Sequence, residues 1–245
     1  EAILPKYKIG KLTSYELNTF APDTGFYKEL SQKVKAHFDK TGQHPKNPFP
    51  GLWRLSLLLL TMAVTFYVGY TPEYSTLTRI AACTIFGCCQ ALILLHMMHD
   101  ASHSSIGYNS TYWTIIGRLT MDWVAGASMT SWHHQHILGH HIYTNIMGTD
   151  PDLPANIEGD LRLIVPRQVW TKIYEWQHIY MPVLYGFLAI KFRLQDVTDT
   201  FMKSTNGVIR VNEQSNLDWA GMIGAKVLHF IVRFLVPYFY FGLDL

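Results

Sequence analysis

The 245 residues are 49% hydrophobic and only 16% charged, with a net charge of +2, whereas an average soluble domain is about 25% charged. Lys and Arg form no long basic tract, so nothing favours a nucleic-acid partner. The three cysteines, Cys83, Cys88 and Cys89, share one apolar stretch. They have neither zinc-type CxxC spacing nor the even number of a disulfide framework.

Residues 1–51 are the most polar part of the chain and contain no apolar signal-peptide core. They read as the interior of a longer protein. Phe26, Leu30, Val34 and Phe38 recur every four residues, with Lys28, Lys33 and Lys35 elsewhere, which predicts an amphipathic helix. Gly42 and Pro45 end it. Such a helix suits a membrane surface, a cytosolic partner or plain solvent.

Leu52 to Tyr70 is nineteen residues with one charge, Arg54, at its leading edge. At 1.5 Å per residue that length crosses a bilayer core. Ile80 to Met98 is a second run of nineteen, uncharged, after a short connection containing Pro72. Together they predict a transmembrane hairpin. Residues 1–54 hold nine Lys and Arg, so the positive-inside rule puts both outer ends in the cytosol.

Between His99 and Trp219 no uncharged run is long enough to span. Tyr112–Met129 and Ile179–Ile190 are expected as interfacial helices or cytosolic core, separated by a segment with Pro151, Pro154 and Pro166. Ala220–Leu243 is a third candidate span. Lys226, near its cytosolic end, is expected to snorkel, and Arg233, deeper, to face protein or a cavity. The expected fold is an all-α integral membrane protein: a cytosolic linker (1–51), a hairpin (52–98), a histidine-bearing cap (99–219) and a third span (220–245).

Eight of the twelve histidines lie between positions 96 and 141. They form two groups, HMMHDASH at 96–103 and HHQHILGHH at 133–141. Helical residues four apart differ by about 40°. His99 and His103 can therefore grip one metal, as can His136 and His140. His141 is rotated a further 100° or so and aims elsewhere, so the doubled HH suits two metal ions. Spacing alone leaves His133 and His134 open as ligands. Asp100 is placed to orient a ligand imidazole. Imidazole-rich sets suit Fe, Zn, Cu or Ni. His229, within the third span, reads best as a hydrogen-bonded core residue.

HDASH at 99–103 and QHILGHHIYTN at 135–145 resemble the first two histidine boxes of the front-end fatty acyl desaturases. The segment from Leu12 to Lys46, GTDPDL at 148–153 and MPVLYGFLAIKFRLQD at 181–196 resemble the same family, and the delta-5 enzymes most. The resemblance implies two Fe ions held by His99, His103, His136, His140 and His141, with O2 as co-substrate. It further implies electrons from cytochrome b5 and NADH-cytochrome b5 reductase, and a cis double bond introduced into a polyunsaturated acyl chain. The expected setting is the endoplasmic reticulum membrane, boxes facing the cytosol. The family's cytochrome b5 domain and its third box, Q/HxxHH, have no counterpart among the 245 residues, so the chain is expected to be a partial one without turnover of its own. Two other classes carry similar elements. Membrane di-iron hydroxylases share the boxes but yield alcohols, and histidine-rich metal transporters hold ligands near the bilayer midplane.

Overall fold

The computed structural model describes Gly10 and residues 22–154, 157 and 159–242. Most of the expected N-terminal linker segment, the end of the third candidate span and three residues of the 151–160 loop lie outside the described residues. The chain divides into two units, residues 1–45 and 46–245. In the first, α1 (Phe26–Thr41) is the expected amphipathic helix. Gly42, in the left-handed conformation, closes it by donating its N–H to Phe38.

The second unit begins with α2 (Phe49–Tyr70), opened by Pro50 in its first turn and ended before Pro72. Ser75 caps α3 (Thr76–Ser102) by accepting the Thr78 N–H. The two helices close as a hairpin. At Gly69 a Cβ would lie 2.9 Å from Cys83 Sγ, so only glycine permits this approach. Arg79 Nε donates to the carbonyl of Gly69 across the turn.

The cap follows. An N-capped helix, α4 (110–124), leads through a short loop to α5 (129–143). After an irregular segment come α6 (172–186), with Pro182 inside it, and α7 (188–203). The strands described are β1 (Thr205–Asn206) and β2 (Ile209–Arg210), an antiparallel pair in register Thr205↔Arg210. The last helix is α8 (Asn216–Phe241).

Among the described residues three helices, α2, α3 and α8, are long and apolar enough to cross a membrane. Only 17%, 22% and 11% of their most apolar stretches is buried inside the protein. Their apolar surface points outward, the reverse of a water-soluble bundle. α2 and α3 pack closely against each other. Leu55, Met62, Cys89, Ile93, Met97 and Ala101 form the buried cluster, with Ile106 from the cap. Lipid tails are as apolar as leucine, so such helices associate through packing and polar contacts.

Polar contacts hold α8. Arg233 Nη2 donates to Gln90 Oε1 at 2.8 Å, its guanidinium 4.1 Å from the centre of the Phe86 ring. Arg233 thus faces the protein, as its sequence position predicts. Lys226 is a correction: instead of reaching outward its Nζ turns in, 2.8 Å from Asp196 and donating to the carbonyls of Arg193 and Gly126. A short tether to a buried carboxylate outcompetes a longer reach to water. His229 packs onto the backbone of Gly126.

At one end of α8, Asp218 pairs with Arg118 of α4. At the other, Phe241 meets Phe66, Tyr67 and Tyr70 beside the α2–α3 turn. The three helices therefore run side by side.

Candidate metal centre

The first histidine pair lies where α3 leaves its apolar stretch. Regular helical spacing brings His99 and His103 together, ring centroids 4.4 Å apart. A π-helical turn, Leu94–Met98, immediately precedes them.

The second group lies on α5, and its backbone departs from the α-helix. His133–His140 is a π-helix, a rare form in which hydrogen bonds run from i to i+5. The wider turn changes which imidazoles meet. His136 Nε2 comes within 3.1 Å of His141 Nε2, five residues on, where helical spacing pairs it with His140. His136 is buried and stacked on Trp132 at 4.4 Å.

His136 is also where the two helices meet. Its Nε2 lies 3.1 Å from His99 Nε2 and 3.3 Å from His103 Nε2. Three Nε2 atoms, those of His99, His103 and His141, therefore face that of His136. Burial, and then the adjoining His141, His99, His103 and His140 rings, push the His136 pKa down to about 4. His103 is lowered too, by burial first, then by His99 and His141, with Asp100 opposing. At neutral pH both rings keep free lone pairs.

Hydrogen bonding alone cannot satisfy this arrangement. The Nε2 of a neutral imidazole is either one donor or one acceptor, yet His136 Nε2 faces three others. A cation shared among lone pairs resolves the conflict. Nitrogens each about 2.1 Å from one ion, as in zinc–imidazole sites, lie roughly 3–3.4 Å apart, the range observed. His99, His103 and His136 thus fit a metal ion, with His141 Nε2 beside His136 Nε2.

His140 points the other way. Its Nδ1 donates to both carboxylate oxygens of Asp150 at 3.0 Å, which leaves Nε2 as the atom it can offer a metal. Asp150 is almost wholly buried and accepts the backbone N–H groups of Asn145 and Asp152. Burial pushes its carboxyl up, but those N–H groups and His140 outweigh it and hold it below the usual carboxylate range. Gly139 makes the approach possible, because a Cβ there would lie 2.6 Å from Pro151 Cγ.

His136, His140 and Asp152 form a second grouping of potential ligands within 4.8 Å of one another. Asp152 Oδ1 accepts from Gln135, whose Oε1 accepts from Asn206, and Asn206 in turn donates to Asp199. This chain ties the second grouping to β1 and α7. The two groupings share His136.

The five histidines singled out by spacing are therefore gathered around His136. Asp100 lies beside them, but its hydrogen bonds run from Ser105 to its backbone carbonyl. The carboxylate that orients an imidazole is Asp150. Spacing did not single out Asp150 or Asp152; the signal was GTDPDL, a carboxylate-rich turn shortly after the second box. His134 is spoken for, bonded to the Thr130 carbonyl through Nδ1 and to the Asn212 N–H through Nε2. His133 lines a separate cavity of about 480 Å³ with Arg118, Trp113 and Leu138.

Fold and centre together define a helical integral membrane protein with a histidine-rich centre that could hold metal at one end of its spans. The chain belongs to the fatty acid desaturase family, whose model matches residues 74–245. It is 39% identical over 240 residues to the acyl-lipid (8-3)-desaturase B of Dictyostelium discoideum, covering 98% of this chain and 50% of that protein. It is 37% identical to the delta(5) fatty acid desaturase A of the same organism, over 96% of this chain and 50% of that one. With the acyl-lipid (8-3)-desaturase of Mortierella alpina it shares 38%, over 99% and 55%. The chain spans about half the length of these relatives. No solved structure matches it. The resemblance carried by the boxes and the GTDPDL segment is thereby borne out.

Proposed function

We propose that the whole protein is a front-end acyl-lipid desaturase with a delta-5 preference, introducing a cis double bond on the carboxyl side of an existing one. The observation that carries this reading is the convergence of three imidazole nitrogens on that of His136, beside the His140–Asp150 pair and at the end of the membrane spans. The relatives' delta(5) and (8-3) names support the regiochemistry.

Two Fe ions are the proposed cofactors. His99, His103, His136 and His141 would hold one and His140, with His136 and Asp152 nearby, would serve the other. Bound there, iron would supply O2 activation and removal of hydrogen from an unactivated acyl chain. The reaction balances when one CH2–CH2 unit and O2, with two electrons and two protons, give one cis alkene and two waters. Cytochrome b5, reduced by NADH-cytochrome b5 reductase, is the proposed electron source.

The chain's own residues do the preparatory work in this reading. Asp150 holds the His140 proton on Nδ1 so that Nε2 carries the free lone pair. Trp132 covers one face of His136 and limits water. The spans (52–98 and 220–245) anchor a cap (99–219) that meets acyl chains at the bilayer surface, with the linker (1–51) ahead of them. The proposed setting is the endoplasmic reticulum, cap in the cytosol, consistent with the Lys and Arg of residues 1–54.

Fatty-acid profiling of yeast expressing the whole protein, fed defined polyunsaturated acids, tests this. A new cis double bond between an existing one and the carboxyl end is expected. A hydroxylated product would replace the reading with a hydroxylase, and metal uptake without O2-dependent product would replace it with a transporter.

A further inference from the structure

A strongly amphipathic surface that the metal centre does not explain is that of α1. At 100° per residue, Phe26, Leu30, Val34, Tyr27 and Phe38 occupy an arc of about 120° on one side. Lys33 and Lys40 border that arc on one edge, and Lys28 and Lys35 lie across from it. Phe26 and Tyr27 are 71% and 73% exposed, Leu30 and Val34 46% and 47%, and none of the helix's residues is buried.

We propose that α1 lies in the surface of the same bilayer that α2 crosses. Its Phe26–Phe38 face would enter the acyl boundary and its lysines would meet anionic lipid headgroups. Two observations choose lipid over a protein partner. One is continuity. Only seven residues, 42–48, separate α1 from α2, a reach of about 25 Å when fully extended. The start of α2 has interfacial chemistry of its own, with Phe49 and Trp53 72% and 64% exposed beside Arg54. Aromatic and basic residues of that kind concentrate where a helix enters the headgroup layer.

The other is charge. The helix carries four lysines against Glu29 and Asp39, and Glu29 is engaged by Lys33 at 2.6 Å. A lysine-rich polar face opposite an apolar face of aromatic and branched residues is the pattern of helices that lie in the interface. A basic face near the surface also adds attraction to anionic lipid.

Spin labels on the full chain in lipid nanodiscs test the proposal, with Cys83, Cys88 and Cys89 replaced by alanine. One label replaces Leu30 on the apolar face and another Lys28 on the polar face. In phosphatidylcholine discs containing phosphatidylserine, the Leu30 label should be reached by O2 and shielded from a water-soluble nickel chelate. The Lys28 label should behave oppositely, so the O2-to-nickel ratio differs several-fold between them. Val34→Glu should move the Leu30 label toward the nickel-accessible pattern.

Equal nickel access at both positions would overturn the proposal in favour of a solvated helix. Shielding of the Leu30 label from both reagents would overturn it in favour of a protein partner. A ratio unchanged in pure phosphatidylcholine would remove the headgroup contacts from it.

Discussion

The two helices that carry the histidine boxes use opposite backbone devices to serve one centre. On α3 a regular turn carries His99 and His103, and the pairing is the one that helical spacing predicts. On α5 the π-helix His133–His140 rotates the rings, so that His141 joins His136 while His140 is released to Asp150. A widened turn thus makes one helix present imidazoles in two directions. Rare backbone forms of this kind recur at functional sites, and the segment before His99 has one as well.

The largest effect should come from the residue both helices share. His136→Ala removes the hub of both groupings and should abolish metal retention and desaturation by the whole protein while leaving membrane insertion intact. Elemental analysis of the purified variant checks the first, and product profiling the second. Retained metal at wild-type stoichiometry would break the account of His136 as the common ligand.

Asp150→Asn should come next. It takes away the carboxylate that fixes His140's tautomer, and changes to such partners typically cost 10–100-fold in metal affinity or activity. A chelator-competition titration would measure it. Asp100→Asn should do less, a few-fold at most, since Asp100 acts on His103 only through space. If Asp100→Asn proved the more damaging, the assignment of the orienting role to Asp150 would be wrong.

The smallest effect concerns the joint between α4 and α5. Asp122 is buried and accepts the Met129 N–H at 2.6 Å. Burial first, opposed by that bond and by Arg118, raises its pKa from the ordinary carboxylate range to about 6. A raised carboxyl binds its proton more tightly in the folded state, so its contribution is present at low pH. That contribution is lost as pH rises from about 4 to about 6. Asp122→Asn should flatten this part of a thermal-unfolding profile in detergent; an unchanged slope would place the titration elsewhere.

Much of the architecture was legible in advance because apolar run length is a local quantity. Nineteen uncharged residues demand a partner phase wherever they fold, and the helices cover both predicted runs of the hairpin and extend past them. The first histidine pair was legible for a similar reason, as His99 and His103, at i, i+4 on a regular turn, share a face. Lys226 was misread because snorkelling is a statement about distance to water, whereas its fate depended on Asp196, thirty positions earlier in the chain. Asp150 was missed because its relation to His140 requires the chain to turn back past Gly139.

From the sequence alone came the membrane-spanning helices, the two boxes and the five histidines, since each depends on residues close in the chain. Only the tertiary structure made His136 the hub, turned His140 to Asp150 and tied Asp152 through Gln135 and Asn206 to α7. Those outcomes depend on a π-helical backbone and on contacts between distant segments, and periodicity cannot encode where two helices meet.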